Sequence, residues 1–138
     1  GQLLLNPIQQ ITMYSVFPNK GKLVYPKLLK SQKSKNKNNV VSVESATRIN
    51  EDMQAVVEDP NGTAHSLQSL GVPLMAKTGT AEIKEKQDER GQQNSFLYAF
   101  DAQQRKFAVL QFLEDRPDDK SAVGMVPELL TYLSENMK

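Results

Sequence analysis

The most informative segment of this protein reads Met75-Ala76-Lys77-Thr78-Gly79-Thr80-Ala81-Glu82. Apolar residues lead into it, so we expect a β-strand. On such a strand, Lys77 would place a positive charge near a bound carboxylate, and the hydroxyl groups of Thr78 and Thr80 would donate hydrogen bonds to it. Gly79 would let the backbone of a ligand approach where a Cβ atom would block it.

The tripeptide Lys-Thr-Gly is a weak signal by itself, because a match of so few residues often arises by chance. An exposed strand lysine beside two threonines, which favour β-structure, explains the same letters without any function. The interpretation of the segment therefore depends on the sequence around it.

The composition is that of one polar domain. A chain of 138 residues is long enough for a single core, and a hydrophobic fraction of 38% predicts a modest core with long polar loops. A net charge of +1 gives no overall attraction to nucleic acid or to a membrane. The absence of cysteine excludes disulfides and thiolate metal sites. No motif points to a cofactor, and we expect none. Because the chain begins at Gly1 without an initiator methionine, we expect an internal fragment.

Charge is distributed unevenly along the chain. Residues 20–37 contain seven lysines and no acidic residue, whereas residues 114–119 are mostly acidic. Residues 31–39 contain no apolar side chain, so we expect a mobile loop there. A solvated loop is the favoured interpretation of these lysines, and the alternative is a surface for lipid headgroups or an anionic polymer.

The first half of the chain predicts two helices. The pair Asn6-Pro7 is typical of a helix start, and Pro18 should end that helix near Phe17. Residues 23–29 should be extended and form an edge strand at best, since they include a proline. A second, amphipathic helix is predicted over residues 43–58. Its apolar face consists of Ala46, Ile49, Met53, Val56 and Val57.

The last third of the chain predicts an antiparallel sheet that ends in a helix. Strands are expected at residues 72–83, 95–100 and 106–113, with a long charged hairpin loop at 84–93. A closing helix is expected at 121–136, with an apolar stripe. The stripe consists of Val123, Val126, Leu129, Leu130 and Leu133. The predicted fold class is therefore α+β, with about three antiparallel strands packed against helices.

The chain contains one histidine, His65. With no second histidine and no cysteine to share a metal, it should be a surface or packing residue rather than a catalytic one. No metal ligand set is therefore assigned.

Several features occur in the order that is typical of one enzyme family. They are Gly-x-Leu-x-x-x-Pro-x-Gln from Gly1 to Gln9, then Tyr14, Asn19-x-Gly21, Pro26, Gly62-Thr63-Ala64, Lys77-Thr78-Gly79-Thr80-Ala81-Glu82 and Phe96-Leu97-Tyr98-Ala99. On these features the chain resembles the C-terminal part of the transpeptidase domain of a class B penicillin-binding protein, most closely the low-affinity Gram-positive group. Lys-Thr-Gly is one of three signature elements of these serine acyl transferases. The resemblance implies a penicillin-binding-protein/β-lactamase-like fold, with residues 1–138 as one incomplete domain.

The resemblance also implies a role for each residue of the Lys-Thr-Gly-Thr segment. In this family a serine attacks the penultimate D-Ala carbonyl of a peptidoglycan stem peptide, and the acyl group then passes to an amine of a neighbouring strand. Lys77 would supply positive potential, and Thr78 and Thr80 would bind the carboxylate of the substrate or of a β-lactam. The backbone N–H of Thr80 would be one oxyanion donor, and Gly79 would belong to the substrate-binding strand.

The nucleophile that this mechanism requires is not found in a matching place. The family's Ser-x-x-Lys and Ser-x-Asn motifs precede the first residue seen here, and Ser34-Lys35-Asn36 fits the second motif only in its letters. We therefore expect the chain to be inactive alone and to supply the Lys-Thr-Gly wall of a larger site. The apolar faces that such a piece leaves bare predict self-association.

The resemblance further implies a cellular setting. The full-length parent would act on peptidoglycan and bind β-lactams at the extracytoplasmic face of the bacterial membrane, through an anchor absent from this chain. One alternative is a non-catalytic β-lactam sensor or binding module on the same half-fold. Another is an unrelated small α+β domain whose lysine-rich loop binds an anionic polymer.

Overall fold

The computed structural model describes residues 5–83 and 91–137. The helices are α1 (Pro7–Tyr14), α2 (Val43–Glu58), α3 (Ala122–Met125) and α4 (Pro127–Asn136), with a 3-10 helix at His65–Leu70. The strands are β1 (Leu23–Val24), β2 (Asn36–Lys37), β3 (Leu74–Ile83), β4 (Gln92–Asp101) and β5 (Ala108–Leu113). The predicted α+β class is confirmed. None of the helices in these two ranges has the length and apolar character needed to cross a membrane.

The large sheet is antiparallel, with the strand order β3-β4-β5. Its register places Lys77 opposite Tyr98 and Thr80 opposite Ser95. In the part of the chain that the structure describes, β3 pairs only with β4, so the Lys-Thr-Gly-Thr segment runs along an edge of the sheet.

The three predicted strands form with somewhat different bounds. Strand β4 begins at Gln92, so residues 92–93 belong to a strand and not to the predicted charged loop. Residues 84–90 of that loop lie outside the described residues. Side chains alternate around β5, since Phe107, just before the strand, and Val109 are buried in one apolar cluster whereas Leu110 packs against the cluster on the other face.

Helix α1 begins where the sequence predicts. The Asn6 side chain accepts a hydrogen bond from the Gln9 N–H at 2.8 Å, and the Gln9 side chain accepts one from the Asn6 N–H at 3.1 Å. This capping box is followed by a proline as the first helical residue. The helix ends at Tyr14, earlier than the predicted end near Phe17. After Tyr14 the backbone tightens into turns, in which the Val16 N–H donates to the Met13 carbonyl at 3.3 Å and the Phe17 N–H donates to the Tyr14 carbonyl at 3.2 Å. Pro18 has no N–H with which to give the Tyr14 carbonyl its helical hydrogen bond, so the helix is not extended.

Helix α2 is confirmed with the predicted bounds. Ser42 caps it by accepting a hydrogen bond from the Ser45 N–H at 3.1 Å. The buried residues of its apolar face are Ala46, Met53 and Val57. Ile49, which was predicted on that face, lies at its margin and is 36% exposed. The Asn50 side chain donates to the Phe17 carbonyl at 3.0 Å, which ties α2 to the turn after α1.

Residues 20–37 form a small hairpin, here called the lysine hairpin, in which β1 pairs with β2. The predicted extension of residues 23–29 is confirmed only at its start, because Pro26 has no N–H to donate to a neighbouring strand. The predicted loop at 31–39 is wrong at residues 36–37, which form β2. Backbone pairing needs no apolar side chain, so composition alone did not reveal it.

Two apolar clusters lie on opposite faces of the large sheet. Because side chains alternate along a strand, Leu97 and Ala99 of β4 face one side, and Tyr98 and Phe100 face the other. The first cluster includes residues of the 3-10 helix, α3 and α4. The second includes residues of α1 and α2. The sheet is therefore covered by helices on both faces.

The predicted closing helix is in fact two helices, α3 and α4. Pro127 begins α4, and because it has no N–H it cannot continue the hydrogen bonding of α3. Most of the predicted stripe packs into the core, namely Val123, Val126, Leu130 and Leu133. Leu129 is 42% exposed, so its assignment to the stripe was wrong. A new helix begins at Pro127, so the residues that face the core after this point no longer follow the period of α3.

Candidate functional site

The Lys-Thr-Gly-Thr segment lies in the middle of β3 and presents its polar groups on two faces. Since side chains alternate along a strand, Lys77 belongs to the face that carries Tyr98. Thr78 and Thr80 belong to the opposite face, where Thr80 lies across from Ser95. The sequence suggested one cluster of polar groups. The structure instead distributes them over both sides of an edge strand, where they can meet only along the edge itself.

The face of Lys77 borders an aromatic cavity of about 590 Å³, lined by residues of α1, β3 and β4. The rings of Tyr14 and Tyr98 stack there, with their centroids 4.0 Å apart. The Tyr98 hydroxyl donates a hydrogen bond to the Gln10 side chain. Burial, and secondarily the neighbouring Tyr14, raises the pKa of Tyr98, so this hydroxyl stays neutral. Lys77 therefore lies beside an apolar wall that a ligand or another chain segment could cover.

The opposite face borders a second cavity of about 430 Å³, here called the hydroxyl pocket. Its hydroxyl-bearing lining residues are Thr63, Ser66, Thr78, Thr80, Ser95 and Ser121. The Thr63 and Thr78 hydroxyl oxygens are 2.6 Å apart and share a hydrogen bond. The Ser95 hydroxyl accepts a hydrogen bond from the Ala122 N–H at 3.0 Å, which anchors the start of α3 to β4. A pocket of this chemistry offers hydroxyl donors to a carboxylate.

Sequence reasoning found only part of the hydroxyl pocket. Thr63 had a signal, because it belongs to the Gly-Thr-Ala feature quoted above. Ser66, Ser95 and Ser121 had none. They come together through the strand register and through the packing of α3, neither of which residue spacing reveals.

The Lys77 ammonium group stays close to the strand that carries it. Its Nζ donates a hydrogen bond to the Thr78 carbonyl oxygen at 2.5 Å, and the side chain is exposed to solvent. The positive charge is thus held beside the backbone at the sheet edge. A carboxylate lying along this edge would meet the ammonium from one face and the threonine hydroxyls from the other.

Gly79 lies in this edge without being required by the fold. A Cβ atom built there would meet only the Phe96 side chain, at 3.8 and 3.9 Å, which is ordinary van der Waals contact. A Cβ atom at Gly62, by contrast, would lie 2.3 Å from the Val56 carbonyl oxygen. The chain itself therefore needs glycine at position 62 but not at 79, and a need for glycine at 79 would have to come from a ligand.

The remaining candidates lie outside this site. His65 is half-buried and its Nδ1 is 3.1 Å from the Val57 carbonyl oxygen, which confirms the predicted packing role. Ser34-Lys35-Asn36 lies in the exposed lysine hairpin, and with Lys37 it also spells Ser-x-x-Lys, a match missed from the sequence. This segment carries no helix, so it is unsuited to the buried nucleophile of the family. Within residues 5–83 and 91–137 no group of His, Cys, Asp or Glu could hold a metal ion.

Comparison with known proteins identifies the family. Residues 1–130 match the family described as the penicillin binding protein transpeptidase domain, so the chain belongs to that family. It is 30% identical over 122 residues to penicillin-binding protein 3 of Bacillus subtilis (strain 168), covering 86% of this chain and 18% of that protein. It is 35% identical over 79 residues to the probable peptidoglycan D,D-transpeptidase PbpC of Pseudomonas aeruginosa, covering 57% and 14%. The chain thus spans less than a fifth of the length of these curated relatives.

Solved structures show the same fold. The apo transpeptidase domain of penicillin-binding protein 3 from Burkholderia pseudomallei matches with a TM-score of 0.69 at 17% identity, covering 92% of this chain and 40% of that one. Pseudomonas aeruginosa PBP2 matches with a TM-score of 0.70 at 18% identity, covering 100% and 32%. The resemblance to penicillin-binding proteins and the expected fold are both confirmed.

Proposed function

We propose that this chain forms one wall of the serine acyl-transfer site of a peptidoglycan D,D-transpeptidase, as part of a single transpeptidase domain. One observation carries the proposal. In a chain of this family, the Lys-Thr-Gly-Thr segment lies on the edge of β3 between an aromatic cavity and the hydroxyl pocket. A stem peptide, or a β-lactam in its place, would lie along that edge and contact both faces.

The proposed binding role rests on charge and hydrogen bonding. Lys77 supplies the positive charge, and Thr78 and Thr80 supply hydroxyl donors to the ligand carboxylate. Hydrogen bonds to a charged group contribute about 1.5–3 kcal/mol each. Gly79 supports this role, since an added Cβ would not clash within the chain and the space above it is open to a ligand.

The proposed catalytic role belongs to the Thr80 backbone. Its N–H would be one donor of the oxyanion hole, and the second donor would come from the nucleophilic serine outside this chain. Loss of one such donor typically costs about 3–4 kcal/mol of transition-state stabilisation. Lys77 would add positive potential to the same region.

Labelling with a fluorescent penicillin tests whether this chain binds the ligand while the nucleophile lies elsewhere in the parent protein. The 138-residue chain should form no covalent adduct, because no helix in its described residues carries a Ser-x-x-Lys pair. A serine adduct on the isolated chain would refute the proposal. In the longer parent protein, Lys77→Ala should slow acylation on the order of 100-fold. The matched control Lys106→Ala removes another exposed lysine and should leave the acylation rate unchanged.

The cellular setting follows from the proposed substrate. Peptidoglycan lies outside the cytoplasmic membrane, so the parent protein would work at the extracytoplasmic face, held there by an anchor outside this chain. A second candidate is a non-catalytic β-lactam sensor or binding module on the same half-fold. The described residues contain no helix that carries a Ser-x-x-Lys pair, and this observation agrees with either function. A parent that is acylated but transfers no stem peptide to an amine would favour the sensor.

A further inference from the structure

The lysine hairpin has a defined tip rather than an open loop. The Gln32 side-chain oxygen accepts hydrogen bonds from the backbone N–H groups of Leu28 and Leu29, at 3.0 and 3.2 Å. The Gln32 N–H donates in turn to the Leu29 carbonyl at 3.1 Å. Below the tip, the Tyr25 N–H donates to the Lys35 carbonyl at 3.0 Å, which extends the pairing of β1 with β2. These bonds hold the two leucines in a closed turn.

The leucines at this tip are unusually exposed. Leu28 is 91% exposed and Leu29 is 61% exposed, and Tyr25 beside them is 47% exposed. Neither leucine belongs to the apolar clusters on the large sheet. Adjacent leucines held in water at a structured tip are a feature of surfaces that bind an apolar partner.

Positive charge surrounds the exposed leucines. The hairpin carries seven lysines and no acidic residue. Lys27, Lys33 and Lys35 line a shallow groove of about 300 Å³ together with Tyr25 and Gln32. The groove is large enough for a phosphate group, which several ammonium groups could contact at once.

We propose that the lysine hairpin docks on an anionic lipid bilayer. The lysines contact the headgroup phosphates, and Leu28 and Leu29 enter the boundary between headgroups and acyl chains. The leucines decide between the partners that the positive charge allows, because an anionic polymer offers no apolar phase in which to bury them. This role concerns a surface apart from the Lys77 edge and does not depend on the function proposed for that edge.

Co-sedimentation of the 138-residue chain with vesicles tests the proposal. The chain should bind vesicles of phosphatidylglycerol and phosphatidylcholine but not vesicles of phosphatidylcholine alone, and high salt should weaken binding. The triple variant Lys27→Gln, Lys33→Gln, Lys35→Gln should bind about 100-fold more weakly. The double variant Leu28→Ser, Leu29→Ser should bind at least about tenfold more weakly than the wild type.

Matched controls distinguish binding by the hairpin from nonspecific electrostatic and hydrophobic binding. Substitution of Arg105, Lys106 and Lys120 by glutamine removes the same charge elsewhere and should leave binding within about twofold of the wild type. Leu129→Ser removes an exposed leucine of α4 and should change nothing. Circular dichroism should show that each variant keeps its fold.

Three results would overturn the proposal. One is equal binding to the uncharged vesicles, and another is equal loss in the hairpin and control charge variants. The third is binding that survives the loss of both leucines while an anionic polymer such as polyphosphate competes fully, which would assign the hairpin to a polymer instead.

Discussion

Replacement of Gly79 by alanine separates what the fold requires from what a ligand requires. The added methyl group would lie 3.8 Å from the Phe96 Cβ, in ordinary contact, and Gly79 does not have the positive φ that favours glycine. The substitution also reduces the conformational entropy of the unfolded chain. The free energy of unfolding should therefore stay the same or rise by about 0.4–1 kcal/mol.

Gly62→Ala is the matched control for this substitution. Its methyl group would lie 2.3 Å from the Val56 carbonyl oxygen and 2.8 Å from that of Ala55. Neither backbone atom can move without distorting the end of α2. The free energy of unfolding should fall by about 1–3 kcal/mol, as for other overpacked sites.

Urea unfolding of the 138-residue chain, followed by circular dichroism, measures the stability of both variants. In the parent protein, Gly79→Ala should slow acylation by fluorescent penicillin on the order of 100-fold, because the methyl group displaces the ligand backbone from the edge of β3. A fall in stability above about 1 kcal/mol would show that the fold itself uses Gly79. Unchanged stability together with an unchanged acylation rate would refute the close approach of a ligand to this edge.

Further expected outcomes concern pH, the hydroxyl pocket and self-association. Burial by itself would raise the pKa of Asp101, but three backbone N–H bonds and the charge of Lys106 outweigh it and lower that pKa. The stability that this carboxylate contributes should therefore be present above its unfolded pKa of about 3.9 and be lost as pH falls through the lowered folded value. Urea unfolding between pH 7 and pH 2 should show this loss, and Asp101→Asn should make the free energy of unfolding less dependent on pH. Thr63→Val removes the 2.6 Å contact with the Thr78 hydroxyl and should slow acylation of the parent about fivefold, whereas an equal effect of Ser69→Ala would contradict a specific role. Sedimentation of the chain should show association that rises with concentration; a monomer at every concentration would argue against bare apolar faces.

Local signals in the sequence were sufficient for the elements whose ends are set by nearby residues. Helix α2 follows from the Ser42 cap and a regular apolar period, and α1 begins at its capping box. The closing helix was predicted as one piece because its apolar period continues past Pro127, whereas the backbone cannot. Strand β2 was not predicted, because its pairing with β1 relies on backbone groups and leaves no pattern of apolar side chains.

The candidate site was predictable only along β3. The sequence identified Lys77 and its neighbours because they are adjacent in the chain. The division of their side chains between two faces follows from strand alternation. The cavity on each face, however, depends on which helices pack against that face. The hydroxyl pocket draws on four separate elements, namely the 3-10 helix, β3, β4 and α3. Its composition therefore depends on tertiary packing that no local pattern contains.

The stacked tyrosines beside Lys77 give the protein an optical reporter of its own. The chain contains four tyrosines and no tryptophan. Tyr14 and Tyr98 lie 4.0 Å apart with their ring planes 21° from parallel, so their electronic transitions couple and should dominate the near-ultraviolet circular dichroism. Both rings line the aromatic cavity, one from α1 and the other from β4. A ligand that moves either ring on entering the cavity should change this coupling, so its binding can be followed without attaching a label.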